Sequence, residues 1–391
     1  MEWQRKTPVG ARKALGQYMT PDSIRQKLLE LVDQDAQTVL DPGVGTGEFL
    51  ESLARRNPRA RLVGWDIDPN IIEVARKTCP TATLELLDAL NSSVKDEFDL
   101  VVGNPPYFQF SGNADLRKRF GAVISGRPNI FALFFQVGLE AVKPGGQLAY
   151  VVPTSMNTGA YFSALRTYIL SQSAIEHIVP IDGSNSFADA QTSVQILVLR
   201  KGKQSQKHVF SRKIPGKGER TVFSPDVDRL ESIFAGRKTL YELGYVAATG
   251  QIVWNQAKDR LRESDADGAI RLIWARDIQA GEIGEPIIEG AKLPFVDAPN
   301  YQVGPAVIVN RIVGSVGNPN LKAALVPPGV KFLGENHVNV ILPRGDAEQL
   351  LSVKVLCDRL GDRATADRLL QITGNTQVSA TELTHLVPID V

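Results

Sequence analysis

Asn104-Pro105-Pro106-Tyr107 follows the apolar run Leu100-Val101-Val102 and carries the most specific chemistry in the sequence. Its two prolines fix the backbone and remove two N–H donors, which leaves carbonyls exposed. The Asn104 side-chain oxygen and the Pro105 carbonyl can both accept from one planar NH2 group, and Tyr107 offers a flat face for stacking. The exocyclic nitrogen of a base such as adenine is a poor nucleophile, because its lone pair is delocalised into the ring. Two acceptors gripping both N–H bonds favour a pyramidal nitrogen with a localised lone pair, able to attack an electrophilic methyl in line. Such a site works by positioning and electrostatics, without a strong base. The blander reading of these four residues is a rigid turn leaving a strand.

A second constellation begins at Asp41-Pro42-Gly43-Val44-Gly45-Thr46-Gly47, between an apolar run and the expected helix Glu48 to Arg56. Glycines at such a bend let a ligand approach the backbone, and a helix N-terminus offers free N–H groups. A plain strand–helix turn also uses glycine. Phosphate is an option for this loop, but no P-loop lysine follows and Glu48 would repel it. Asp41 ahead of the glycines points instead to a ligand with a positive ammonium. Asp66 lies about 20 residues after the loop, where a carboxylate can accept from both ribose hydroxyls. NAD fits this much. Asp88 ends the third apolar run and can accept from an adenine amino group. An ammonium-facing acid, a ribose acceptor and an adenine acceptor together suit S-adenosylmethionine. Taken singly, each of these acids is more often a strand-end cap or a surface group.

Seven short apolar runs must position these residues. They are Thr38-Val39-Leu40, Arg61 to Trp65, Ala82 to Leu87, Phe98 to Val102, Gln147 to Val152, Ile175 to Ile181 and Ser193 to Leu199. The first five alternate with helical patterns such as Phe131 to Val142, which predicts an α/β fold with a mostly parallel sheet. Ligands in such sheets sit at the carboxyl ends of the strands, where Asp41, Asp66, Asp88 and Asn104 fall. Only about ten residues separate the last two runs, too few for a crossover helix, so they read as an antiparallel hairpin at the sheet edge. From Arg200 to Arg220 eight basic residues face Glu219 alone. That stretch reads as a solvated linker or as a phosphate-contacting strap. Beyond about residue 236 the pattern is irregular, with β-like pieces at Gln302 to Val309 and Val338 to Leu342 and helices expected at Ala347 to Leu360 and Ala364 to Ile372. The expected division is a catalytic domain over 1–200, a basic linker over 201–235 and an α+β domain over 236–391.

Composition narrows the function classes. The chain has 391 residues, 43% of them hydrophobic and 22% charged, so a disordered chain is excluded. A net charge of +1 excludes a histone-like polycation but not a local basic face. Cys79 and Cys357 are far apart and near no His cluster, so neither a disulfide framework nor a metal site is expected. The first residues lack a signal-peptide pattern, and no run reaches the roughly 18 apolar residues of a membrane span. The expectation is a cytoplasmic protein with no membrane contact.

With these residues in view, the sequence resembles the amino-group DNA methyltransferases, most of all the adenine-N6, TaqI-type (gamma) group and the Eco57I-like modification methylases. The resemblance is strong to about residue 200 and looser beyond. Gly16-Gln17-Tyr18-Met19-Thr20-Pro21 looks like the family segment in which a Thr-Pro helix start touches the methionine part of the cofactor. Taken alone, Thr20-Pro21 is an ordinary helix start with Thr20 as N-cap. Asp41 to Gly47 is similar to the cofactor loop, Asp66-Ile67-Asp68 to the ribose segment, Asp88-Ala89 to the adenine segment and Asn104 to Tyr107 to the catalytic motif. Pro128-Asn129-Ile130-Phe131 with Lys143-Pro144-Gly145-Gly146 looks like the next segment. The resemblance implies a Rossmann-like S-adenosylmethionine-dependent fold with a C-terminal target-recognition domain. It implies cofactor contacts at Gln17, Tyr18, Thr20, Asp41, Gly43, Gly45, Asp66, Ile67, Asp88, Ala89 and Asn104. Phe187 sits among small polar residues between the last two runs, poorly placed for a core. The resemblance makes it a second stacking aromatic on an extruded base, opposite Tyr107. In the later half Arg276, Arg311 and Lys322 are candidates for contacts to DNA.

The reading is therefore a methyltransferase acting on the N6 amino group of an adenine flipped out of double-stranded DNA. A separately encoded restriction endonuclease is its expected companion, unless it is an orphan methylase. The rivals are an RNA adenine or protein-glutamine methyltransferase, a bifunctional restriction enzyme, and a DNA-binding subunit that needs a partner for activity. The sequence is silent on the recognised DNA word.

Overall fold

The computed structural model describes residues 20–126, 129–181, 193–214, 218–279, 281–312, 320–373 and 377–391. Two compact units divide the chain. One comprises Met1–Arg212 with Thr221–Val227, the other Lys213–Arg220 with Asp228–Val391.

The first unit is built on a seven-stranded sheet. Its strands are β1 (Thr38–Asp41), β2 (Arg61–Asp66), β3 (Thr83–Leu86), β4 (Phe98–Gly103), β5 (Val142–Pro153), β6 (Ser173–Ile181) and β7 (Val194–Lys201), in the order β3-β2-β1-β4-β5-β7-β6. Strands β1 to β5 pair in parallel, and β7 runs antiparallel to both β5 and β6. This is the mostly parallel sheet with a late antiparallel hairpin that the seven runs predict. The hairpin enters the sheet through its second strand, so β6 forms the edge and β7 lies inside.

The helices of this unit are α1 (Asp22–Glu30), α2 (Glu48–Arg56), α3 (Pro69–Thr78), α4 (Ala114–Arg119), α5 (Phe131–Ala141) and α6 (Ser163–Gln172). Successive strand residues point to opposite faces. Val39, Leu62, Leu100, Val102, Ala149, Val151, Ile196 and Val198 accordingly meet α1 to α3 on one face. Leu40, Val63, Val101, Leu148, Tyr150, Val152, Leu197 and Leu199 meet α5 and α6 on the other. Both faces are covered, which is why these strands read as continuous apolar runs rather than as alternating ones.

The region read as a linker is structured. Val209–Ile214 and Gly218–Phe223 form a two-stranded ribbon, and Val227–Phe234 is a helix. The second unit holds a six-stranded and a five-stranded sheet. Its helices run over Val353–Gly361, Arg363–Thr373 and Ala380–Leu386. The first starts later than the amphipathic pattern predicts because Ser352 caps it, accepting from the Val355 N–H. The last is fixed by a capping box between Ser379 and Glu382.

Candidate active site

The carboxyl ends of β1, β2 and β4 and the segment after β3 open on one cavity. Thr20, Asp41, Gly43, Gly45, Asp66, Ile67, Asp88, Ala89, Asn104 and Pro106 all line it. Leu87, Phe108 and Ile130 supply apolar wall. Ten of the residues that the sequence and the resemblance single out, drawn from five segments, therefore meet at one place. Pro105 and Tyr107 do not line this cavity. Gln17, Tyr18 and Phe187 fall outside the described residues, as does Pro128.

The loop after β1 is shaped by its glycines. Gly45 and Gly47 have φ of 53° and 89°, the left-handed region that glycine enters without a Cβ clash. The Val44 N–H donates to the Trp65 carbonyl at 2.8 Å, which ties the loop to β2. Asp41 is only 1% exposed, and its Oδ1 accepts from the Gly43 N–H at 3.1 Å. Burial pushes its pKa up to about 8; the Gly43 bond works against that shift, while the charges of Asp66 and Glu48 add to it. In the ligand-free protein Asp41 holds its proton near neutrality, and a cation placed beside it would drive the proton off.

Asp66 at the end of β2 accepts from the Gly45 N–H at 3.1 Å and from the Asp68 N–H at 3.0 Å. Its pKa is raised too, mainly by burial, with those backbone N–H groups opposing. Each carboxylate oxygen has two lone-pair sites, so these bonds leave capacity for two hydroxyls. Ile67 beside it is 63% exposed, an apolar side chain left open. Asp88 does act as a cap: it accepts from the Leu90 N–H and from Asn91 Nδ2 at 3.0 and 3.1 Å. The cap reading and the place in the cavity wall hold together, because capping the short turn Ala89–Asn91 presents Asp88 and Ala89 side by side.

Thr20 is not an N-cap. The helix α1 begins at Asp22 with Pro21 in the cap position, and no side chain bonds the first turn there. Thr20 is buried in the cavity wall instead.

Asn104 follows β4 and reaches the same cavity. The Tyr107 hydroxyl donates toward Asn104 Oδ1 and lies 2.6 Å from the Val151 carbonyl oxygen. An amide oxygen has two lone pairs, so a bond to Tyr107 holds the amide plane and leaves acceptor capacity for an incoming N–H. The Tyr107 ring meets Phe131 edge-on, 6.1 Å between centroids at 86°. Burial raises the phenol pKa well above its ordinary value, so the hydroxyl stays protonated.

Sequence reasoning missed two residues here. Gly103, the last residue of β4, stands against Asp41: a Cβ built on it would lie 2.7 Å from Asp41 Oδ1. Arg25, in the first turn of α1, also lines the cavity. Its position four residues after Pro21, on the helix face above Thr20, was the available signal.

The basic residues expected to contact DNA are largely engaged elsewhere. Arg200 bonds Asp33 at 2.7 Å and also Glu176, and its guanidinium holds the Asp33 carboxyl below its usual range. Lys201 pairs with Asp96 at 2.7 Å. The start of the basic stretch is thus a clamp within the first unit, because these side chains meet acids at the end of the sheet away from the cavity. In the second unit Arg276 lies over the Trp274 ring, pairs with Glu289 and bonds the Ile287 and Lys292 carbonyls. Arg311 bonds the Asn336 carbonyl at 2.7 Å. Lys322 is exposed. Among the described residues no group of three or more His, Cys, Asp or Glu could hold a metal ion. None of their helices is long and apolar enough to cross a membrane.

Residues 81–187 match the family described as Eco57I restriction-modification methylase. Residues 33–127 match one described as methyltransferase domain. The chain is similar to the Type II methyltransferase M.CvrRI of Paramecium bursaria Chlorella virus XZ-6E, 26% identical over 282 residues, 71% of this chain and 72% of that protein. It is similar to the Type II methyltransferase M.BsuBI of Bacillus subtilis, 23% identical over 440 residues, 95% of this chain and 87% of that protein. A tRNA1(Val) (adenine(37)-N6)-methyltransferase of Porphyromonas gingivalis (strain ATCC BAA-308 / W83) is 34% identical over 128 residues, 30% of this chain and 50% of that protein. Several further Type II methyltransferases are matched over less than two thirds of their own length.

Proposed function

We infer that this chain, a methyltransferase with an Eco57I-type restriction-modification methylase segment, modifies the N6 amino group of adenine in DNA. One observation carries the reading. Asn104, from the motif suited to gripping an amino group, lines the same cavity as Asp41, Asp66 and Asp88, the acids suited to a cationic nucleoside. The residues present fit S-adenosylmethionine. Asp41 and Glu48 provide negative charge for an ammonium, Asp66 acceptors for ribose hydroxyls, and Asp88, Ile67 and Leu87 a polar and apolar seat for adenine. When bound, the cofactor supplies a methyl group on a positively charged sulfur.

The chain's own residues do the rest. Asn104 accepts from one N–H bond of the target nitrogen, and the motif reading gives the other to the Pro105 carbonyl, so that the two together localise its lone pair. These residues would hold the nitrogen toward that methyl group, and the nitrogen would release its surplus proton to water. The target must leave the duplex, since a paired and stacked amino group cannot meet the methyl. The resemblance assigns to Tyr107 and Phe187 the stacking on the extruded base that would offset part of that cost. The second unit selects the sequence, with Lys322 on its exposed surface. The enzyme acts in the cytoplasm, with a separately encoded restriction endonuclease as its companion.

The test incubates purified protein with unmethylated genomic DNA and S-adenosylmethionine and measures modified nucleosides by mass spectrometry. N6-methyladenine is expected, and sequencing that DNA then reads the target word. N4-methylcytosine would overturn the base assignment. Methylation of tRNA but not DNA would replace the substrate.

Gly103 gives a more local prediction. Its position leaves no room for a methyl beside Asp41, so Gly103→Ala must push the carboxylate aside. Affinity for S-adenosylhomocysteine, read by calorimetry, is expected to fall by roughly tenfold or more. Unchanged affinity would remove Asp41 from the cofactor site.

A further inference from the structure

The cavity wall contains five charged side chains among the described residues. Asp41, Glu48, Asp66 and Asp88 are acidic, and Arg25 alone is basic. S-adenosylmethionine carries three charges: a sulfonium, an ammonium and a carboxylate. An acidic cavity suits the first two and repels the third. Unless something offsets that repulsion, the site would favour a cofactor without its carboxylate.

Arg25 is built to offset it. One guanidinium nitrogen donates to the Thr20 carbonyl at 2.7 Å, which fixes the head beside a residue of the cavity wall. A second pairs with Asp22 at 2.8 Å, but Asp22 is 69% exposed, so water screens that pair. The Arg25 side chain itself is only 14% exposed, and its Nε is buried with no hydrogen-bond partner. With so little water around it, the guanidinium charge is only weakly screened from an anion in the cavity. A guanidinium also matches a carboxylate with two parallel donors.

We propose that Arg25 is the carboxylate-recognition residue of this cofactor site, setting its preference for S-adenosylmethionine over cofactors that lack the carboxylate. The proposal rests on the cofactor reading above. It makes Arg25 the counterpart of Asp41: one residue reads the negative end of the amino acid group and the other the positive end. The loop glycines and Asp66 serve the nucleoside.

The test compares equilibrium binding of S-adenosylmethionine with that of its decarboxylated form, which keeps the sulfonium and the ammonium. Wild-type protein is expected to prefer the carboxylated ligand by roughly 10- to 100-fold, the range for a charged hydrogen bond. Arg25→Gln should bring that ratio to one or below, by weakening S-adenosylmethionine while the decarboxylated ligand binds no more weakly than before. Arg25→Lys should recover part of the preference. Equal weakening of both ligands by Arg25→Gln would overturn the proposal and make Arg25 a purely structural residue. A wild-type ratio near one would overturn it as well. Failure of the wild-type protein to bind either ligand would instead bring down the cofactor reading on which the proposal stands.

Discussion

Asn104→Ala is expected to lower methyl transfer at least 100- to 1,000-fold, the range for removing a preorganised polar group from a reacting centre. S-adenosylmethionine affinity should change by no more than about threefold. The asymmetry follows from the geometry. Asp41, Asp66 and Asp88 make the charged part of the cavity on other segments and remain in place. The Tyr107 hydroxyl keeps its 2.6 Å approach to the Val151 carbonyl, so deleting the amide leaves the phenol proton with an acceptor. What disappears is one of two grips on the target nitrogen. Single-turnover transfer from labelled cofactor, beside calorimetric binding, separates the two effects. Equal losses of binding and transfer would take Asn104 out of its proposed role.

The second large effect is on pH. Asp41 has its pKa raised by burial from 3.8 to about 8 in the ligand-free protein. A cationic ligand needs it ionised. Below about pH 8 binding must therefore expel a proton, and affinity should rise about tenfold per pH unit from pH 6 to pH 8 before levelling off. Calorimetry in buffers of different ionisation enthalpy should count close to one proton released at pH 6.5. In Asp41→Asn the slope should vanish and affinity at pH 8 should fall. Stability moves the other way. A carboxyl whose folded pKa is raised contributes stability below its unfolded value, and that contribution is lost as pH rises towards 8. Ligand-free Asp41→Asn is thus expected to melt higher than wild type above pH 8. A pH-independent affinity in wild type would mean that Asp41 does not face the cofactor's charge.

The sheet was legible because most of its strands are buried on both faces and read as compact apolar runs, four of which lead into Asp41, Asp66, Asp88 and Asn104 where the chain turns. The cavity was legible for the same reason: strand ends are where such a sheet places polar residues. The residues that escaped are those whose role depends on neighbours from elsewhere in the chain. Arg25 looks like any charge in a first helical turn until the cavity wall around it proves acidic. Gly103 looks like a strand end until Asp41 on the next strand is seen against it. The ribbon Val209–Ile214 with Gly218–Phe223 was hidden by its charge, because Arg212, Lys213 and Arg220 make its strands read as solvated linker. Arg200 and Arg276 hold ion pairs that were hidden in the same way. Their partners Asp33 and Glu289 are distant in sequence or exposed, and spacing alone marks neither as an ion pair.

The placement of β7 also bears on the order in which the chain can fold as it is synthesised. Strand β6 is made before β7, yet it joins the sheet only through β7, which occupies the open edge of β5. Until residues 194–201 have emerged, β5 presents a row of unpaired backbone groups and β6 has no place to dock. Arg200, near the end of that strand, then bonds Asp33 from the start of the chain and Glu176 from β6. A nascent chain arrested before residue 194 would carry every segment of the catalytic cavity and still lack a closed sheet beneath it. The cavity is written early, and its foundation is laid last.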